Sequence, residues 1–308
     1  MELGPRDAVT LAPTLRRAVD ALGSGSPWPI VAPLTAGYVL AYLVADVLDS
    51  LRVPLVQAGL VAAAGVVLVW PALGRRQWPW WVMAGLMGCA LFSNWMLVDN
   101  HVFLATYWLV AIAAARSAPD DGRAPALAKA ASLLLGLTML FATVHKLRTP
   151  EFLSGDFFHL TFLTEDRFAP LGWVLGEDLG QLALANAERL TTLKSDPTQG
   201  PVALTTGSSR IQELARAMSI AVLAFELFLA VVWLLRSEGR YARRIRHCAL
   251  LAFALSTYAI APVPGFGGLL VILGLADTKP GEGVLRAGYL IVLLHVLFGA
   301  AVLRTLLT

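Results

Sequence analysis

The sequence predicts an all-α, polytopic transmembrane helical bundle of about eight spans. Of its 308 residues, 57% are hydrophobic and 15% are charged, whereas a soluble domain carries about 25% charged residues. The mean hydropathy is +0.68, and the apolar residues fall in runs close to the roughly 20 residues that a spanning helix needs. We therefore expect residues 1–308 to form a single membrane domain without a separate soluble catalytic domain.

Eight apolar runs define the predicted spans. They cover residues 28–47, 53–73, 78–98, 102–115, 126–144, 217–235, 248–276 and 285–306. The fourth run is short, and the seventh contains Pro262 and Pro264 followed by glycines, a pattern that breaks a helix. The seventh run is therefore either one broken span or two half-spans, which gives eight or nine spans in total.

The distribution of Arg and Lys between the spans predicts the orientation, because positive charge accumulates on the cytoplasmic side. With a cytoplasmic N-terminus, the predicted inner segments hold Arg6, Arg16, Arg17, Arg75, Arg76, Arg116, Arg123, Lys129, Arg236, Arg240, Arg243, Arg244 and Arg246. The predicted outer short segments hold Arg52, Lys279 and Arg286. We therefore expect a protein of a bacterial plasma (inner) membrane with its N-terminus in the cytoplasm.

One long segment, residues 147–213, joins the fifth and sixth spans on the predicted outer side. Its part from 152 to 168 mixes aromatic and charged residues, which is typical of a segment at the membrane interface. Residues 181–193 have apolar residues near helical spacing and predict a short amphipathic helix, and residues 195–209 predict an exposed loop. This insertion is a candidate lid over the polar residues described next.

Lys146, at the outer end of the fifth span, is the first candidate for chemistry. A lysine at a helix end commonly extends its ammonium to the lipid headgroups, which is the structural alternative. In a partly desolvated pocket, however, burial disfavours the charged form, and the neutral amine is a general base. His145 points about 100° away around the helix, so at most one of the two residues can face a given site, and Lys146 is our choice.

His101 is the second candidate, at the outer entrance of the fourth span. One interpretation is purely structural, with Asp99 or Asn100 capping the first free backbone amides of the helix. The other is functional, because an oriented imidazole can hold a substrate hydroxyl or stabilise a developing oxyanion. Both are compatible, and the predicted topology places His101 on the same side as Lys146.

Glu226 and His295 lie near the middle of the sixth and eighth spans. An ionisable group at this depth is costly enough to indicate a function, although the two residues could instead pair with each other, or with a hydroxyl such as that of Thr257, to fasten the bundle. Glu226 is roughly 15 Å deeper than the outer helix ends, so we expect it not to touch Lys146. Thr143 and His159 complete the candidate substrate-binding set.

Several classes of function are disfavoured. The basic residues between the spans are typical of topology signals, so no nucleic-acid partner is predicted. The sequence has no phosphate-binding glycine loop, no His-x-x-x-His metal pair and no serine nucleophile elbow, and no metal site is predicted. The basic run at 240–246 is interpreted as a cytoplasmic anchor facing anionic lipid.

Two short segments resemble the membrane domain of the vitamin K-dependent gamma-carboxylases and their bacterial relatives, the HTTM (horizontally transferred transmembrane) family. Residues 99–104, Asp-Asn-His-Val-Phe-Leu, are similar to the family's Asn-Asn-His-x-x-Leu element. Residues 140–147, Leu-Phe-Ala-Thr-Val-His-Lys-Leu, are similar to its aromatic-small-x-x-Lys-Lys-Leu element, with His145 in place of the first lysine. The resemblance implies that Lys146 is the base that deprotonates a quinol such as reduced vitamin K, and that His101 assists.

Three functional hypotheses follow. The first is a carboxylase-like, lyase-type or quinol-dependent membrane enzyme, in which Lys146 abstracts a proton and His101 orients a quinol-like, lipid or secreted peptide substrate. The second is a non-catalytic scaffold or partner subunit in the maturation or export of a secreted peptide. The third is a transporter, which the break at 262–268 permits. All three have the lipid bilayer as a partner.

Overall fold

The computed structural model of the protein describes residues 13–47, 54–94, 99–176, 178–195, 203–260 and 263–307. Within these ranges every regular element is a helix and no strand occurs, which confirms the all-α prediction. The predicted topology markers Arg6 and Arg52, Pro262 in the seventh run, and residues 196–202 of the predicted loop lie outside the described ranges.

The first half of the chain forms seven helices. They are α1 (Pro13–Gly23), α2 (Trp28–Tyr38, continued by a π-helical stretch over Val39–Val47), α3 (Pro54–Val69), α4 (Pro71–Gly74), α5 (Trp78–Asn94), α6 (Asn100–Ser117) and α7 (Asp120–Leu147). Shorter helices follow in the insertion, namely α8 (Pro150–Ser154), α9 (Asp156–Thr164), a 3₁₀ turn (Asp166–Leu171), α10 (Gly172–Leu175) and α11 (Leu179–Ser195). The C-terminal part contains α12 (Ser209–Leu234), α13 (Arg240–Ile260), α14 (Pro264–Ala276) and α15 (Gly283–Leu307).

Two helices, α7 and α12, are long and apolar enough to cross a membrane, and α1 with α2 would make a third if this pair, bent by 87°, is one span. Large apolar side chains are exposed on the outer surface, for example Phe92, Phe141 and Ile291. Apolar surface of this extent is what a lipid environment accommodates and water does not. The eight-span count stays a prediction, because several of the helices are shorter than a full span.

The seventh predicted run is two helices, α13 and α14, that run in opposite directions. At one end Gly267 of α14 lies against Tyr258 near the end of α13, where an added Cβ would come within 2.6 Å of the tyrosine ring. At the other end Asp277, directly after α14, contacts Arg246 near the start of α13 at 2.7 Å. The sequence left open whether this run is one broken span or two half-spans, and the structure has two separate helices.

This reversal places Lys279 and Arg286 at the same end of the bundle as Arg243. Lys279 binds Glu238 at 2.6 Å, and Arg243 binds Glu282 at 2.7 Å. The prediction that Lys279 and Arg286 lie opposite the 236–246 segment is therefore wrong. The cause is that α13 and α14 run in opposite directions, because one additional change of direction exchanges the ends at which all later segments lie.

We call this end of the bundle the basic end; it includes Arg75, Arg116, Arg243 and Arg286. Arg116 donates to the backbone oxygen of Arg75 at 3.0 Å and lies 4.8 Å from the ring centroid of Trp28. Arg286 donates to the backbone oxygens of Leu22 at 2.7 Å and Gly25 at 2.9 Å. The segments after α1, α4, α6 and α14 thus meet on one side.

The insertion forms a small second core beyond the opposite end of the bundle. We call it the aromatic cap; its buried residues are Phe152, Phe158, Phe162, Leu163, Phe168, Leu175, Leu179, Ile211 and Ala215. The predicted helix at 181–193 is confirmed as part of α11. Buried Asn186 of α11 donates to the backbone oxygens of Leu163 and Thr205 at 2.9 and 3.0 Å, which joins α11 to α9 and to the segment that precedes α12.

Candidate functional site

Lys146 and Glu226 form a close ion pair inside the bundle. The Lys146 ammonium nitrogen lies 2.7 Å from Oε1 and 2.8 Å from Oε2 of Glu226, so one donor group holds both carboxylate oxygens. The Lys146 side chain is 22% exposed and the Glu226 side chain 8% exposed. Phe152 of the aromatic cap lies over the ammonium, with 5.5 Å between the nitrogen and the ring centroid.

The prediction that Glu226 is too deep to touch Lys146 is wrong. Helices α7 and α12 are antiparallel, since Ser132 Oγ donates to the backbone oxygen of Trp233 at 3.0 Å. Lys146 lies fourteen residues after Ser132 on α7, and Glu226 lies seven residues before Trp233 on α12. Measured along the helices from the contact between Ser132 and Trp233, the backbones of Lys146 and Glu226 are therefore about 10 Å apart, at about 1.5 Å per residue. Helical side chains tilt toward their own N-terminus, so in antiparallel helices the two side chains extend toward each other and close that gap.

Tyr258 of α13 lies beside this ion pair. It is 3% exposed, and its hydroxyl makes no hydrogen bond within the described part of the chain. The charge of Glu226 and the phenol of Tyr38 both act electrostatically on it. Gly267 permits this position, because any larger residue there would place a Cβ 2.6 Å from the Tyr258 ring.

Two further tyrosines lie on the side of His101. Tyr38 and Tyr42 are stacked with 5.6 Å between their ring centroids, as the i, i+4 spacing on one helix face requires. The Tyr42 hydroxyl lies 3.1 Å from Nε2 of His101. His101 is buried, and Tyr42 packs directly on Gly265 of α14. We call the side chains His101, Tyr42, Tyr38, Tyr258, Glu226 and Lys146 the polar row.

The polar row contains both residues that the sequence places in one site. Among the described residues no hydrogen bond or ion pair joins Lys146 to His101; Lys146 binds Glu226, and His101 contacts Tyr42. The shared pocket of Lys146 and His101 stays a prediction. The structure shows the Lys146–Glu226 ion pair and, separately, the contacts of Tyr38 with Tyr42 and of Tyr42 with His101.

The neighbours of Lys146 and His101 differ in exposure. His145 is exposed while Lys146 turns inward, as the 100° step between consecutive helical residues requires. Thr143 is buried, and its hydroxyl donates to the backbone oxygen of Met139 at 2.8 Å. Asp99 and Asn100 are exposed, and Asp99 occupies the N-cap position of α6 without a capping hydrogen bond from its side chain. The predicted side-chain cap by Asp99 is therefore wrong.

His159 and His295 are separate from the ion pair. Each is partly buried, and in each the Nε2 atom is buried without a hydrogen-bond partner among the described residues. His159 lies on α9 in the insertion and His295 on α15. The alternative in which Glu226 pairs with His295 is wrong, because both Glu226 oxygens are bound by Lys146.

A second ionic cluster lies at the basic end and was missed by the sequence analysis. Asp277 is 1% exposed and Arg246 fully buried, and Arg246 Nη2 lies 2.7 Å from Asp277 Oδ2. Arg243 is 5% exposed and donates to Glu282 through Nε at 2.9 Å and Nη2 at 2.7 Å. Interpreting the whole 240–246 run as a lipid-facing anchor is therefore wrong for these two arginines, although Arg240 and Arg244 are exposed.

The basic side chains around Asp277 determine its charge state. Burial alone would raise its pKa, but His247, whose Nε2 lies 3.4 Å from Oδ2, and the charges of Arg246 and Arg243 outweigh burial and hold the pKa of this carboxyl below its usual range. The carboxylate is therefore ionised at neutral pH. His247 in turn contacts the Tyr289 hydroxyl through Nδ1 at 2.8 Å.

Signals for the missed residues were present in the sequence. The chain has 6 tyrosines, and Tyr38, Tyr42 and Tyr258 all lie in apolar runs, where a phenol hydroxyl normally needs a partner. Asp277 was the acidic residue nearest the end of the seventh run. Its complementarity to Arg243 and Arg246 was hidden because the unrecognised reversal placed it on the opposite side.

No protein-family model, no curated protein and no solved structure matches the chain. Among the described residues, no group of three or more His, Cys, Asp and Glu side chains is arranged to hold a metal ion. The site therefore has to be interpreted from its own geometry.

Proposed function

We propose that the protein is an integral membrane enzyme that removes a proton from a weakly acidic, lipid-soluble substrate at Lys146. The observation that carries this proposal is the contact of one ammonium with both oxygens of Glu226, at 2.7 and 2.8 Å, between two helices capable of crossing a membrane. A buried ion pair is a poor means of stabilising a fold, because desolvation offsets its Coulombic attraction. Ionisable groups at membrane depth more often serve a function.

The pair supplies a route to a neutral amine. Low polarity disfavours both charges, so transfer of the Lys146 proton to Glu226 leaves a neutral amine beside a neutral carboxylic acid. The amine nitrogen then accepts a proton from the substrate, and the Tyr258 hydroxyl, which has no described hydrogen-bond partner, donates to the oxyanion that develops. His101 orients the substrate or the polar row through Tyr42.

The resemblance to the HTTM family extends the proposal to a substrate class. In that family the lysine corresponding to Lys146 acts on a quinol such as reduced vitamin K, and a quinol hydroxyl is a weak acid of the required kind. A lipid or a secreted peptide presented at the outer surface are the other substrates that an outward-facing site would receive.

We propose nine membrane crossings rather than eight, with a cytoplasmic N-terminus in a bacterial plasma membrane. Nine helices, α2, α3, α5, α6, α7 and α12 to α15, alternate in direction between the basic end and the opposite end. The sequence predicted Lys279 and Arg286 on the outer side. Because they lie at the basic end, the two ends of the bundle differ more in their number of described basic residues than the sequence predicted. Positive charge on the inner side makes the basic end cytoplasmic and places Lys146 toward the outside.

The test uses a probe whose deprotonation is visible, a long-chain alkyl nitrophenol, with purified protein in lipid nanodiscs. Wild-type protein is expected to bind the probe as its coloured phenolate at a bulk pH about one unit below that needed in empty nanodiscs, equivalent to about 1.4 kcal/mol. Lys146→Met keeps the side-chain volume and removes the amine, so this shift is expected to disappear. Lys129→Met, on the exposed face of the same helix, is the matched control.

The alternatives predict a different result. A scaffold or a transporter without proton chemistry gives the same absorbance for wild type, Lys146→Met and Lys129→Met. Equal spectra of the three folded proteins would therefore overturn the proposed enzyme.

A further inference from the structure

Four basic side chains surround the single carboxylate of Asp277 at the basic end. The Arg246 nitrogen lies 2.7 Å from Oδ2, His247 Nε2 lies 3.4 Å from Oδ2, and Arg243 Nη1 lies 3.6 Å from Oδ2. Arg236 Nη2 approaches the other oxygen, Oδ1, to 3.6 Å. Of these contacts, that of Arg246 has the length of a charge-assisted hydrogen bond.

The charges of this cluster do not cancel. Arg243 has its own carboxylate, because Glu282 receives two hydrogen bonds from it. Glu238 binds Lys279 at 2.6 Å and lies 3.8 Å from Arg236. Asp277 is thus left to neutralise both Arg236 and Arg246. An uncompensated charge in a buried cluster is strongly unfavourable, so a further anion would stabilise this arrangement.

The hydrogen-bond donors also exceed the acceptors. Buried nitrogens without a hydrogen-bond partner among the described residues are Arg236 Nε, Arg243 Nη1, Arg246 Nε, Arg246 Nη1, His247 Nε2 and Trp233 Nε1. The buried acceptor of the cluster without a partner is Asp277 Oδ1. Buried polar groups are nearly always paired, and water supplies both donors and acceptors but no charge. An excess of donors together with an excess of positive charge indicates an anion with several oxygens.

Arg236 provides access to the cluster. Its side chain is 29% exposed, whereas Arg243 and Arg246 are buried. Its backbone φ is +41°, a left-handed conformation that ends α12 and that is more usual for glycine. Trp233, one turn earlier, lies under the Arg246 guanidinium with 4.9 Å between the guanidinium carbon and the ring centroid.

We propose that Arg236, Arg243 and Arg246, with the indole N–H of Trp233, bind a phosphate-bearing anion at the basic end of the bundle. Planar guanidinium groups match the oxygens of a phosphate in a bidentate manner, and basic pockets between helix ends on the cytoplasmic side of membrane proteins hold anionic lipid headgroups. The anion is either the headgroup of an anionic phospholipid or free phosphate. This site is independent of the polar row and of the proposed proton transfer.

The experiment compares melting temperatures of the full-length protein in three environments. These are nanodiscs of phosphatidylcholine, the same nanodiscs with added phosphatidylglycerol, and phosphatidylcholine nanodiscs with added inorganic phosphate. A ligand that binds the folded state raises the melting temperature, by about 5 °C near saturation. A rise with phosphatidylglycerol identifies the lipid headgroup as the source, and a rise with inorganic phosphate identifies the free ion.

Two variants and a control locate the effect. Arg236→Gln removes the half-exposed cation, which makes only ion pairs of 3.6 and 3.8 Å, and is expected to abolish the rise. Trp233→Phe keeps an aromatic ring at this position, although a smaller one, and removes the N–H, so it is expected to reduce the rise if Arg236→Gln does not fold. Arg244→Gln, which removes the same charge from an exposed position on α13, is expected to retain the full rise.

Two outcomes overturn the proposal. If neither phosphatidylglycerol nor inorganic phosphate raises the melting temperature of the wild type, the buried donors are satisfied by water alone. If Arg244→Gln abolishes the rise as completely as Arg236→Gln, the effect is a diffuse attraction of the basic end to anions rather than a site.

Discussion

The polar row and the Asp277 cluster, at opposite ends of the same bundle, bury charge in different ways. Lys146 and Glu226 form an isolated one-to-one pair whose lysine is 22% exposed and whose neighbours are tyrosines. At the fully buried Asp277 carboxylate, Arg246 makes a short hydrogen bond, and Arg243 and Arg236 each lie 3.6 Å from a carboxylate oxygen. An arginine stays charged under all ordinary conditions, whereas a lysine can lose its proton when buried. This difference is the reason that we propose proton transfer at Lys146 and not at Asp277, where the charges of the arginines are permanent.

The largest effect is expected for Asp277→Asn. This variant leaves the Arg236, Arg243 and Arg246 charges without their shared carboxylate, and removing one partner of a buried ionic group costs about 3–5 kcal/mol. Thermal unfolding in detergent measures the loss. Glu188→Gln, at an exposed position on α11, is the control and is expected to unfold like the wild type.

The same variant has a pH signature. Because the pKa of Asp277 is lower in the folded than in the unfolded protein, its contribution is complete above the unfolded-state pKa and is lost as the pH falls through the folded-state pKa. The difference between wild type and Asp277→Asn should therefore be constant near neutral pH and shrink on acidification. A difference that grows on acidification would contradict the assigned charge.

Glu226→Gln is expected to cost less, about 2 kcal/mol, the value of a hydrogen bond to a charged group. Lys146 is partly exposed and can turn its ammonium toward the surface, which the buried arginines around Asp277 cannot do. In the double variant Lys146→Met with Glu226→Gln, the two losses should not add, because the residues are in direct contact. Additive losses of unfolding free energy would show that the pair contributes nothing to stability.

Two adjacent glycines of α14 test the packing of the polar row. Gly267→Ala would place a Cβ 2.6 Å from the Tyr258 ring, and we expect it to cost about 1–2 kcal/mol by overpacking and to weaken deprotonation of the nitrophenol probe. Gly268→Ala meets no atom closer than 3.8 Å and should gain about 0.5–1 kcal/mol from helix propensity. If both variants unfold alike, Gly267 does not serve to admit Tyr258.

The smallest effect is expected for Tyr42→Phe, which removes the hydroxyl that contacts His101 at 3.1 Å. A neutral hydrogen bond contributes about 0.5–1.5 kcal/mol, so the melting temperature should fall slightly while the probe reports a changed environment in the polar row. Tyr107→Phe, whose side chain is 57% exposed, is the control. Identical behaviour of the two variants would remove Tyr42 from the row.

Composition and local pattern were sufficient for the helical class and for several individual elements. Apolar runs predicted the positions of α5, α7 and α12, and helical spacing predicted α11 in the insertion. Helix geometry predicted that only one of Lys146 and His145 can face inward, and the resemblance to the family selected Lys146. These features depend on residues close together in the sequence, so a single chain contains the information.

Tertiary structure alone decided which ionisable groups meet. The Lys146–Glu226 contact depends on the stagger of two antiparallel helices and on the tilt of their side chains, and the Asp277 cluster depends on a reversal of the chain between α13 and α14. Neither has a local signature, because a hydrophobic run fixes that a helix forms but not its register against a distant one. Sequence thus determined where the charged groups lie along the helices, and packing determined which of them are partners.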